Sequence, residues 1–199
     1  MTRNRNVREM SFSNDDTIKI GDFLALDFFG DGSFYLLDTP GHSVGHLAGL
    51  ARTTVNPDTF ILMGGDLGHH GGELRPSMHL PIPDEVNYPS PEGQKLGGAA
   101  FRQLNVKRGR KETETFFDPV VADDIEEAAR TIRKAQIPDS QDDVFLVCAH
   151  DMGIVGVVDF FPWTANAWRE KGWKQRSHWN FLADLATAAT AGDTMLVKE

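Results

Sequence analysis

The stretch DTPGHSVGHLAGLART, residues 38–53, decides how this chain folds, and FILMGGD (60–66) and VFLVCAHD (144–151) extend the same reading. Each time a short apolar, β-favouring run leads into a polar cluster. The clusters are Asp38 to His46, then Gly64-Gly65-Asp66-Leu67-Gly68-His69-His70, then Ala149-His150-Asp151. Pro40, Gly41 and Gly45 forbid a regular helix through the first cluster, so His42 and His46 need not share a face as a helical pair would. A glycine-flanked imidazole on a tight turn leaves one ring nitrogen free for a metal or a substrate. Clusters at the ends of separate strands converge at one sheet edge. Neutral imidazole and carboxylate suit zinc, iron or manganese. Such an ion lowers the pKa of a bound water and polarises a carbonyl or phosphoryl oxygen. Taken singly, each histidine reads as a core or surface residue satisfied by hydrogen bonds. Three clusters with the same placement argue instead for a site.

Outward from these motifs, residues 23–29 and 34–37 are apolar runs separated by Gly30-Asp31-Gly32, a hairpin signal. Residues 47–52 and 60–63 form a second strand pair, and 64–72 is too glycine-rich for regular structure. Residues 76–91 hold five of the ten prolines and read as a long irregular excursion, either a cover for the site or a surface loop. The basic run at 107–111 reads as a solvated loop. Acidic residues early and basic ones late, around an apolar stripe of Ile125, Ala128, Ala129 and Ile132, predict a helix over 122–135. A strand buried on both faces follows at 144–149, and a closing helix at 180–190. Residues 1–17 read as a polar arm and 18–199 as one layered α/β (α+β) domain.

Composition bounds the function. The 199 residues carry 20 basic and 29 acidic side chains, a net charge of −9 and a pI near 5.2, which argues against nucleic acid as a partner. A hydrophobic content of 40% excludes wholesale disorder. Cys148 is the one cysteine, so there is neither an intramolecular disulfide nor a Cys-rich zinc knuckle, and inside an apolar strand it reads as a small hydrophobe. No uncharged apolar run reaches the ~18 residues of a membrane span. The polar start lacks a secretory h-region, and a cytoplasmic location is expected. Trp163, Trp168, Trp173 and Trp179 read as core or interface residues.

Taken together, DTPGHSVGHLAGLART, FILMGGD and VFLVCAHD resemble the metallo-β-lactamase fold superfamily, in the branch with glyoxalase II, lactonases and fungal thioesterase-like members. The resemblance covers residues 20–185 and implies the C-terminal half of an αββα sandwich. It implies His42 and His150 as metal ligands and Asp66 as a carboxylate bridging two metals. His46 becomes a supporting hydrogen-bonding residue. His69 and Asp151 become candidates for second-sphere or substrate contacts, and His70, with Asp66, for the catalytic chemistry. The implied cofactor is zinc, or iron or manganese, as one or two ions. The implied reaction is hydrolysis of a small-molecule ester, lactone or thioester through metal-activated water. The HxHxDH signature expected before TPGHSVGH is absent, and no histidine precedes His42. Two expectations follow. One is a hydrolase impaired by the loss of those ligands. The alternative is an inactive truncated member serving in binding or assembly, its exposed sheet covered by a homodimer mate or another partner. A single-ion site with altered chemistry ranks behind both.

Overall fold

The computed structural model describes residues 6–7, 9–13, 15–86, 88–89, 93 and 95–190. Its frame is a sheet of β1 (Ile18–Ile20), β2 (Phe23–Asp27), β3 (Phe34–Asp38), β4 (Leu47–Thr54), β5 (Thr59–Met63) and β8 (Val144–Val147), side by side in that order. The first five strands run as an antiparallel meander and β8 joins β5 in parallel. The parallel pair requires a crossover. It contains the two-residue strands β6 (Tyr88–Pro89) and β7 (Lys95–Leu96) and the helices α1 (Gly71–Leu74), α2 (Gly98–Lys107) and α3 (Ile125–Asp139).

The first hairpin forms where Gly30-Asp31-Gly32 places it, but β2 stops at Asp27 rather than at residue 29. The Asp27 carboxylate accepts from the amides of Gly30 (3.0 Å) and Gly32 (2.8 Å), which turns the chain two residues early. β8 likewise ends at Val147, two residues short of the expected limit. Residues 64–72, expected to be irregular, contain a 3-10 turn at Gly65–Leu67 and the start of α1.

α3 packs Ile132 and Ala135 onto one sheet face, against Phe23, Ala25, Leu37, Ala48, Leu50, Leu62, Val144 and Leu146. Asp124 caps it by accepting from the Glu127 amide. The helix runs four residues beyond the expected end at 135, through Pro138. Its last turn is held by buried bonds: Asp139 takes a two-pronged contact from Arg75 at 2.7 Å each, and His178 Nε2 lies 3.1 Å from it. Tertiary bonding here overrides local propensity.

On the opposite face, Trp168 and Trp173 cover Phe145, Ile61 and Val147. Trp168 is fully buried, and its Nε1–H donates to Thr53 Oγ1 at 3.0 Å. The rest of that face is less covered. Phe34 and Met63 lie over Gly49, Met63 is half-exposed, and Phe29 beside them is 67% exposed. Trp163 stands in solvent, so only part of the tryptophan set is core.

The described part of the proline-rich segment serves a second core rather than standing free. Ile82, Val86 and Tyr88 pack with Phe101, Phe116, Phe181 and Leu182, and Tyr88 Oη donates to the Trp179 carbonyl at 2.6 Å. The closing helix begins as a 3-10 turn, Asn180–Leu185, and becomes α-helical only over Ala186–Thr190. The tighter turn carries Phe181, Leu182 and Leu185 all into the core. The basic run is anchored locally: Arg110 pairs with Asp118, and Arg108 lies 5.5 Å over the Phe117 ring. No described helix is long and apolar enough to cross a membrane.

Candidate metal centre

The loop after β3 is clamped to the start of α3. Thr131 Oγ1 donates to the Pro40 carbonyl at 2.7 Å, and the amides of Asp124 and Asp123 donate to Gly41 and His42 at 3.0 and 2.9 Å. Gly41 has φ +125°, and a Cβ on it would lie 2.2 Å from the Ala128 amide nitrogen, so no other residue fits. This contact sets the His42 ring. Its Nδ1 lies 3.0 Å from the Val121 carbonyl and so carries the proton, which leaves the Nε2 lone pair facing Asp66 Oδ2 at 3.6 Å.

Asp66 follows β5 directly, inside the 3-10 turn. Its amide donates to His46 Nε2 at 3.1 Å. That bond makes Nε2 an acceptor, so the His46 proton sits on Nδ1 and goes to the Thr39 carbonyl at 2.9 Å. His46 therefore ties the two loops together, with both of its ring nitrogens engaged. Gly65, at φ +58°, is required beneath it, since a Cβ there would lie 3.1 Å from His46 Nε2. A Cβ on Gly64 would lie 2.9 Å from Cys148 Sγ. Burial pushes the Cys148 thiol up to about 12, which keeps it protonated and un-nucleophilic at neutral pH.

His150 leaves the end of β8, where the Ala149 amide donates to the Gly65 carbonyl at 2.8 Å. Its Nε2 lies 3.2 Å from Asp66 Oδ1. Each oxygen of Asp66 thus faces a different histidine. His69 lies between them, its ring stacked on that of His150 (5.1 Å, 22°) and 5.0 Å from that of His42. The His69 amide donates to the buried Glu73 carboxylate at 3.0 Å, which holds its backbone. One donor atom each from Asp66, His69 and His150 lies within 4.8 Å of the others.

The structure therefore brings together His42, Asp66, His69 and His150, with His46 behind them. His70 is engaged elsewhere: Nδ1 accepts from the Gly72 amide at the start of α1, Nε2 lies 3.2 Å from Asp184, and the ring meets Phe117 and Phe181 edge-on. Asp151 caps the 3-10 turn Met152–Ile154 by accepting from the Gly153 amide. The chemistry of the grouped donors fits a divalent ion. A histidine whose second nitrogen is held by a backbone carbonyl, beside a carboxylate oriented by its own amide, is pre-set for ligation.

No sequence signal points to the buried cluster of Arg75, Asp139, Lys174 and His178, which holds the C-terminal end of α3 to the start of β8. Lys174 Nζ donates to the carbonyls of Asp139 and Val144 at 2.7 Å each. Burial lowers its ammonium to about 8, so it remains mostly charged at neutral pH. No motif announces these residues, because they meet only through the fold.

The chain is 43% identical over 186 residues to a protein named gamma-lactamase FDB1 from Fusarium pseudograminearum, an overlap of 91% of this chain and 45% of that one. It is 43% identical over 191 residues to metallo-hydrolase mfmC from Annulohypoxylon moriforme, covering 92% of this chain and 48% of the relative. It is also 43% identical over 188 residues to a Penicillium roqueforti protein named cytochrome P450 monooxygenase mpaDE, 92% of this chain and 20% of that much longer one. This chain thus spans less than half the length of each of these relatives. No family model matches it, and neither does any solved structure.

Proposed function

This chain matches the C-terminal part of a metallo-hydrolase, and we propose that it carries the Asp66 side of a metal-dependent centre that hydrolyses a carbonyl–heteroatom bond. The observation that carries the reading is the two-sided presentation of Asp66, Oδ2 toward His42 and Oδ1 toward His150. The substrate class we favour is a small lactone, ester or thioester, extended to the cyclic amide in the relatives' name gamma-lactamase. A divalent ion at this site supplies Lewis-acid polarisation of the carbonyl and water acidity near neutral pH. The chain's own residues do the positioning. His42 keeps its proton on Nδ1 against Val121, and His46 holds the Asp66 backbone still. The carboxylate is left free to ligate and to orient a water.

The experiment is an assay of the chain with added Zn2+ on γ-lactone and γ-lactam probes. Hydrolysis above background that is removed by chelator and falls at least about a hundredfold in Asp66→Asn is expected. Hydrolysis indifferent to both, or none at all, contradicts the enzymatic reading.

A second reading, a binding or assembly role, is favoured by the exposed apolar side chains Phe29 and Met63 on the part of the sheet face that Trp168 and Trp173 leave less covered. A second copy of the chain is the occupant we favour there. This reading gains if the chain fails the assay yet is a dimer by light scattering.

A further inference from the structure

We propose that Asp66, His69 and His150 alone form a three-ligand site for one divalent transition-metal ion, with His42 outside that set. The family resemblance assigns His69 no ligand role, and the geometry points to one. Ligands that hold one ion tetrahedrally at about 2.1 Å stand about 3.4 Å apart. His150 Nε2 and Asp66 Oδ1 are 3.2 Å apart, which meets that spacing. Donor atoms of all three residues fall within 4.8 Å of one another, a gap that a modest side-chain rotation closes. His69 has the means to hold its place: its amide is pinned to Glu73, and its ring is stacked on that of His150.

His42 faces the other oxygen of Asp66, at 3.6 Å. On that side the described residues offer only an imidazole and a shared carboxylate. Two ligands make a weak, exchange-prone site, whereas three suffice for an ion that keeps one position for water or substrate. The two sides of Asp66 are thus unequal. One is complete within this chain, and the other waits on donors from elsewhere. The proposal rests on the metal-dependent reading of the site but not on hydrolysis, so the two fail separately.

The test is calorimetric titration of the metal-free full chain with Zn2+ near neutral pH, with circular dichroism confirming that every variant is folded. One equivalent is expected to bind. His69→Gln is expected to weaken binding at least about tenfold, while His42→Gln leaves it within about threefold. His69→Cys restores a donor and is expected to recover affinity that Gln does not, a result no packing role for His69 would produce. The proposal is overturned if no Zn2+ binds, if two equivalents bind with equal affinity, or if His69→Gln binds as tightly as the parent. It is equally overturned if His42→Gln proves the more damaging change. Failure of the lactone and lactam assay alone leaves this titration unaffected and counts only against the hydrolase.

Discussion

At Gly41 one hydrogen atom in place of a side chain decides where His42 stands. The loop meets α3 so closely that a Cβ would sit 2.2 Å from the Ala128 amide nitrogen, at a φ of +125°. Gly41→Ala is therefore expected to destabilise the fold by about 2 kcal/mol or more and to displace His42. Urea denaturation reads the first effect. The residues of the centre were legible to different degrees. His42, Asp66 and His150 announce themselves because each follows a strand within a short motif. In the sequence His70 reads as the catalytic candidate and His69 as a second-sphere or substrate contact, but which of two adjacent histidines meets Asp66 depends on the turn between them. Here His70 caps α1 and packs on Phe117 and Phe181, and His69 joins the cluster. No spacing rule distinguishes the two.

α3 serves the molecule at both ends. Its N-terminus clamps the His42 loop and is capped by Asp124, so Asp124→Ala should cost about 1 kcal/mol in the same measurement. Its C-terminus depends on the buried Arg75, Asp139 and His178 group, which gives stability a pH dependence. Burial, with Arg75 beside it, lowers the His178 imidazole to about 4 from an ordinary 6.5. Between those values the unfolded chain holds the extra proton, so acidification favours unfolding. The contribution is whole above 6.5 and declines as the pH falls toward 4, by on the order of 3 kcal/mol. Burial works to raise the Asp139 carboxyl, yet Arg75 and His178 hold it well below the usual range, so its own loss begins only below 3.8. Urea midpoints measured from pH 7 downward should fall more steeply in the parent than in His178→Gln. Sequence periodicity places this helix at 122–135, whereas α3 spans Ile125–Asp139, beginning three residues later and ending four residues later. The residues that hold its last turn come from positions 75 and 178, far along the chain.

For the molecule as a whole, the first hairpin, the second strand pair and the buried strand at 144–149 are readable from their apolar runs and the Asp-Gly turn, whereas the joining of these pieces into one meander and the parallel pairing of β8 with β5 emerge only in the fold. The coverage of the sheet was not readable, since it depends on where the tryptophans land. Trp168 and Trp173 shield the β5–β8 end, and Phe29 and Met63 remain open to solvent. We propose that this apolar surface pairs with a second copy of the chain. Light scattering is expected to show a dimer that Met63→Lys weakens without loss of structure, and a monomer at all concentrations would count against it. We propose that a metal centre is built on Asp66 where the ends of β3, β5 and β8 converge. Anomalous diffraction at the zinc edge, from a crystal of the chain soaked in Zn2+, tests it most directly. One strong peak within bonding distance of Asp66 Oδ1, His69 and His150 is expected. A peak elsewhere, or none, would contradict it.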